Sequence, residues 1–202
     1  INNSYSIQDN KLDLFMEIMP NLERQLRAGI VANYVHLRDN LIHVVDSDNY
    51  DFITYAYLNY HIDNENSPTF VSRGWKLNIN GKYILPVIEL EDGSRMRNSL
   101  VVRCDLDGAI AMGEKNSLKL GATLGTTIGN NELPLSYQFF IGGQSHMKYF
   151  DNIISFDGLK FTQLYGNHIV LGKISWQYNF YKNIYAIAKL NGAADAEGSV
   201  AK

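Results

Sequence analysis

From Arg73 to Leu85 nearly every second residue changes character. Trp75, Leu77, Ile79, Gly81, Tyr83 and Leu85 fall on one side; Lys76, Asn78, Asn80 and Lys82 fall on the other. Successive side chains of a β-strand point to opposite faces, so this run predicts a strand with one apolar and one polar face. The dyad recurs along the chain. Leu12, Leu14, Met16 and Ile18 alternate with Lys11, Asp13 and Glu17, and Leu26, Ala28, Ile30, Ala32 and Tyr34 with Gln25, Arg27, Gly29 and Asn33. Leu100, Val102, Cys104, Leu106 and Ile110 oppose Arg103, Asp105 and Asp107, while Val170, Gly172, Ile174, Trp176 and Tyr178 oppose Lys173, Ser175, Gln177 and Asn179. Strands are expected over residues 11–19, 24–36, 50–61, 74–85, 98–111, 117–128, 156–165, 168–179 and 183–191. No segment carries a competing helical period, so the chain reads as all-β.

Alternation does not say which solvent each face meets. A soluble sandwich or lipocalin-like barrel would bury the apolar face. Three features favour an antiparallel transmembrane β-barrel. Several strands run to about a dozen residues, against ~5–6 in globular proteins and ~9–11 for a membrane strand. The apolar stripes hold small residues (Ala28, Ala32, Gly81, Ala122, Gly172, Ala188) that would pack a soluble core poorly. Trp75 and Tyr83 stand about 26 Å apart along their strand, which a tilt near 40° projects to roughly 20 Å, close to the ~25 Å apolar band between aromatic girdles. Mean hydropathy is −0.19, with no run approaching the ~20 apolar residues of a membrane helix, as a barrel allows.

The net charge of −3 gives no basic excess for nucleic acid, and Cys104, the single cysteine, excludes an intrachain disulfide. Tight turns are expected at 20–23, 113–117, 165–167 and 181–183, and longer connections at 37–49, 62–72, 86–97 and 129–155. Short turns at one end and long loops at the other is the habit of outer-membrane barrels. An odd count of about nine strands would leave an unpaired edge in lipid, so residues 1–191 are expected to be part of a larger, roughly sixteen-stranded barrel. The chain starts at Ile1 without an export signal, so either the signal has been removed or the chain is an internal segment. Residues 192–202, rich in Ala and Gly, are expected to form a flexible tail.

Three landmarks in fixed order carry a family resemblance. Pro68-Thr69-Phe70-Val71-Ser72-Arg73-Gly74 resembles the Phe-Pro-Thr-Arg-Gly strand entry of the outer-membrane assembly-factor superfamily, which includes the BAM insertase and two-partner secretion barrels. Pro134-Leu135-Ser136-Tyr137-Gln138-Phe139-Phe140-Ile141-Gly142-Gly143 is similar to the aromatic-Gly-Gly segment opening that family's lumen-inserted loop. Phe156-Asp157-Gly158-Leu159 would then start the next strand. The resemblance implies a lumen-loop motif of Phe140, Gly142, Gly143 and Lys148. Where insertases and transporters carry Arg-Gly-Phe or Arg-Gly-Tyr, this chain reads Lys148-Tyr149-Phe150, and Lys lacks the planar bidentate fork of Arg. A Gly-Gly loop without that Arg, with the Tyr-Lys-Asn-x-Tyr turn at 181–185 and Asn191-Gly192, looks more like the C-terminal barrels of bacterial patatin-like phospholipases. That subgroup implies an outer-membrane anchor for an upstream domain hydrolysing lipid acyl esters, this segment being non-catalytic. The alternative is a polypeptide insertion or secretion barrel, its upstream part binding clients by strand addition. The partners implied are outer-membrane lipid, the upstream domain and, in an oligomer, a second copy. No cofactor or metal is implied.

Little else points to chemistry. Asp107-Gly108-Ala109 matches the Asp element of the patatin dyad only superficially, because Asp107 lies on a strand's polar face and no Gly-x-Ser-x-Gly is present. The five histidines show no metal-ligand spacing. Arg73-Gly74 is expected to set a turn. The inward set Arg27, Lys76, Lys82, Arg103, Asp105, Asp107, Lys119 and Lys173 carries both signs, as a lumen lined with mutual ion pairs and water would. Lys148 is expected to reach the lumen, paired with an inward carboxylate such as Asp157.

Overall fold

The computed structural model describes residues 6–38, 49–67, 70–85, 98–129, 133, 137–143, 152–159, 164–182 and 184–195. Eight long strands form one antiparallel sheet: β1 (Ser6–Asn21), β2 (Arg24–Arg38), β3 (Asn49–Asp63), β4 (Gly74–Leu85), β5 (Ser99–Ala111), β6 (Asn116–Gly129), β10 (His168–Tyr181) and β11 (Ile184–Asp195). They pair in that order, and β1 and β11 are the two edges. Three short strands, β7 (Phe139–Ile141), β8 (Ile153–Ile154) and β9 (Leu164–Gly166), form a separate sheet in the order β8-β7-β9.

The strand expected at 156–165 is absent from the main sheet. β6 instead pairs directly with β10, from Thr126 opposite His168 to Asn116 opposite Tyr178. The reason lies in spacing. Phe156, Leu159 and Leu164 all pack against one apolar cluster, and intervals of that kind cannot come from a two-residue repeat. Among the described residues the long strands number eight, an even count. The expected tail also starts too early, because Gly192 pairs with Gly172 and the last strand continues to Asp195. Residues 196–202 lie outside those described.

One face of the sheet carries the large apolar side chains outward. Leu14 is 70% exposed, Ile110 60%, Leu124 50% and Leu190 70%, with Trp75 and Tyr83 at 39% and 42%. A continuous surface of this kind on every strand is the lipid face of a membrane barrel rather than the outside of a soluble body. The opposite, inner face divides in two. Near the tight turns it is polar. Near the long connections it is apolar: Val31, Tyr55 and Ile84 stand side by side across β2, β3 and β4, and all three are buried. The expectation of an inner face lined with polar groups and water fails over this half.

At the turn end the β3–β4 connection, residues 64–73, is the long one. Asn66 organises it, its Oδ1 accepting from the amides of Ser72 (3.0 Å) and Arg73 (3.1 Å) and its Nδ2 donating to Ser72 Oγ (2.9 Å). Gly74 ends it at φ 107°, where a Cβ would collide with the Asn64 carbonyl, so the Arg73-Gly74 pair does set a turn. The segment reaches over to the last strand, where Phe70 stacks on Tyr185 with ring centroids 3.9 Å apart.

Candidate functional site: the lumen plug and the charged inner wall

The aromatic-Gly-Gly segment starts a small folded unit that fills the loop half of the inner face. Gly142 (φ 140°) and Gly143 (φ 74°) adopt backbone conformations that other residues avoid, and they turn the chain straight after β7. β7 is then flanked on both sides, parallel to β8 and antiparallel to β9. The amide of Phe140 donates to the Asn152 carbonyl (3.0 Å), that of Gly142 to Ile154 (3.1 Å) and that of Gly143 to Leu159 (3.1 Å). These bonds satisfy polar groups of the buried β7 backbone within the plug itself, as burial demands.

Alternation along β7 assigns its side chains. Phe139 and Ile141 are fully buried and join Val31, Ile53, Tyr55, Ile84, Val101, Ile169 and Leu171 of the wall in one apolar cluster. Gly125 makes room for Phe139: a Cβ there would lie 2.9 Å from the ring Cζ and 2.7 Å from Ile169 Cγ1. Tyr137 meets Tyr55 edge-on at 5.9 Å, and its hydroxyl accepts a bond from Asn33 Nδ2 (3.2 Å). Phe140 points the other way, toward Tyr165 at 6.2 Å. Of the expected loop motif, Phe140, Gly142 and Gly143 are thus brought together, and Lys148 lies outside the described residues. Asp157, its suggested partner, faces Lys189 Nζ at 3.4 Å and Asn191 Nδ2 at 3.5 Å, so it ties the plug to the last strand.

Arg103, Asp105, Asp107 and Lys173 all stand on the inner face. Arg103 and Asp105 form an ion pair, Nε to Oδ2 2.8 Å, and Thr123 Oγ1 donates to Asp105 Oδ1 at 2.8 Å. One residue row crosses the sheet as Asp63, Lys76, Asp107, Gly121, Lys173 and Asn191, with signs alternating wherever charge is present. Lys76 Nζ sits 3.4 Å from Asp63 Oδ2. Gly121 leaves the space that the Asp107 carboxylate occupies, a Cβ there lying 2.5 Å from Oδ1 and 3.5 Å from Lys173 Cβ. Nearer the edge, Arg27 Nη2 meets Glu17 Oε2 at 2.6 Å while its guanidinium lies 4.4 Å above the Phe15 ring. Lys82 is buried, with Nζ 5.7 Å from the Tyr55 ring centre, so it belongs to the apolar half.

Sequence reasoning missed the wall residues under the plug. A signal for them exists: Ile30-Val31-Ala32, Tyr83-Ile84-Leu85, Leu100-Val101-Val102 and Ile169-Val170-Leu171 are apolar without interruption. A strand end apolar on both faces meets lipid on one side and a packed core on the other.

Fold and site together define a β-barrel wall with an inserted plug, of the kind that sits in an outer membrane. Residues 3–198 match the OMP85 superfamily, nearly the whole chain, and the chain belongs to that superfamily of outer-membrane barrel proteins. No curated protein sequence matches it.

Proposed function

We propose that the chain is the outer-membrane anchoring barrel of a patatin-like phospholipase, itself non-catalytic. The observation that carries this reading is the plug packed against the inner face. Phe139 and Ile141 seal the loop half against the wall, and Phe70 stacks on Tyr185 at the turn end. The wall between them is ion-paired. Such an interior suits a rigid anchor better than a conduit, since a selective pore presents a single-sign ring to passing solutes. The sheet itself belongs to a larger, roughly sixteen-stranded barrel, because eight strands enclose little more than their own side chains. That leaves no room for the plug. Strand edges at β1 and β11 then pair with further strands, as lipid requires.

The test uses the full-length protein in outer-membrane vesicles. Phospholipid acyl-ester hydrolysis should be present, and protease should release it while the barrel stays membrane-bound. Absence of hydrolysis overturns the lipase assignment. The alternative, a polypeptide insertion or secretion barrel, draws support from superfamily membership. It predicts faster insertion of unfolded barrel proteins into proteoliposomes that carry the chain.

A further inference from the structure

We infer that the cavity between the 64–73 segment and the turn ends of β6, β10 and β11 is a binding site for an acidic peptide. The cavity holds about 340 Å³, within the ~300–1,000 Å³ of ligand sites. The connection that roofs it is unlike its neighbours. The other turns at this end, 22–23, 112–115 and 182–183, are tight, whereas here Asn66 is bonded to Ser72 and Arg73, and Phe70 is held against the inner face by its stack on Tyr185. Ordering a long connection opposes folding entropically.

The lining selects the ligand. Asn116, Gln177 and Asn179 are primary amides, each offering a donor and an acceptor, the pair a peptide backbone presents in return. Among the lining residues two cations, Arg73 and Lys115, outnumber the one carboxylate, Glu114, so the lining is net positive and favours an acidic side chain. The rings of Phe70 and Tyr185 are stacked at 13° on each other, so those two faces are not free to stack on a sugar. Ser117 is the independent sign of an absent partner. It lines the cavity, is 2% exposed, and its hydroxyl has no hydrogen-bond partner among the described residues. A buried hydroxyl left so is unfavourable, and a peptide amide or carbonyl would complete it. Gln177, directly opposite Ser117 in register, is 4% exposed and stands ready beside it. None of this depends on the lipase reading.

The experiment is calorimetric titration of the full-length protein in detergent with acetyl-Ala-Asp-Ala-amide, its Asn analogue and chitobiose. The acidic peptide should bind with Kd on the order of 0.1–1 mM. Ser117→Ala should leave heat-dependent gel mobility intact and weaken binding about fivefold or more. Arg73→Gln with Lys115→Gln should weaken it about tenfold and erase the preference over the Asn analogue. A photoreactive acidic peptide on the unmodified protein should label residues 64–73 or 113–117. No binding at about 10 mM, equal binding of the Asn analogue, tighter binding of chitobiose, indifference to Ser117→Ala, or labelling elsewhere would each overturn the proposal.

Discussion

Phe139→Ala tests whether the plug is held to the wall by hydrophobic contact. The ring is fully buried, so truncation re-exposes or leaves void roughly 150–200 Å² of apolar surface, or about 4 kcal/mol at ~25 cal/mol per Å². That agrees with the ~3–5 kcal/mol seen for Phe→Ala in packed cores. The main ladder does not involve this side chain, so the loss falls on local opening of the plug rather than on the barrel. Amide exchange at Phe140 and Gly142 should accelerate about a thousandfold, and protease should cut within 130–167, while the temperature of the gel-mobility shift moves little. Gly125→Ala attacks the same contact from the wall, since its Cβ would lie 2.9 Å from Phe139 Cζ. In the Phe139→Ala background part of that space is free, so the second substitution should cost less than it does alone, by about 1–3 kcal/mol. Unchanged exchange in Phe139→Ala, or strict additivity of the pair, would refute the packing argument.

Three further outcomes follow from the same geometry. Ile79→Arg, midway between Trp75 and Tyr83 on the lipid face, should cost about 2–4 kcal/mol of barrel stability, whereas Asn78→Arg, inward beside Asp105, should cost under ~1 kcal/mol. Equal shifts in thermal gel mobility would sink the two-face assignment. Glu17→Gln should lower stability only slightly, and less at high salt, because the Arg27 pair is partly exposed; a double-mutant cycle with Arg27→Gln measures it. Burial first, and then the Asp63 carboxylate, push the Glu65 carboxyl above its ordinary value, so the folded 64–73 segment binds a proton more readily than the unfolded one. Its protection from protease should therefore rise as pH falls from neutral through that raised value, and Glu65→Gln should flatten the dependence. A slope of opposite sign would contradict the burial.

The strands were legible where lipid dictates them. β4 spans Gly74–Leu85, the range its alternation predicts, because every second residue along a membrane strand must be apolar and the signal repeats over its full length. The plug carries no such redundancy. Phe139 and Ile141 alternate for only three residues, and Phe156 and Leu159 reach the same cluster from outside any strand, Leu164 from the start of the three-residue β9. Nothing local distinguishes them from a strand start, so the 156–165 segment read as a barrel strand. The interior follows the rules of a soluble core while the outside follows those of a lipid surface, and on β2 the two meet in adjacent residues. Ile30 is apolar because it faces hydrocarbon, and Val31 because Tyr55 and the plug cover it. A barrel with an open aqueous lumen would keep Val31, Ile84 and Val101 polar, for a buried-type side chain facing water gains nothing there. Loss of alternation confined to the loop half of the strands is therefore the imprint of a plug on its wall, and it can be read before any contact between the two is known.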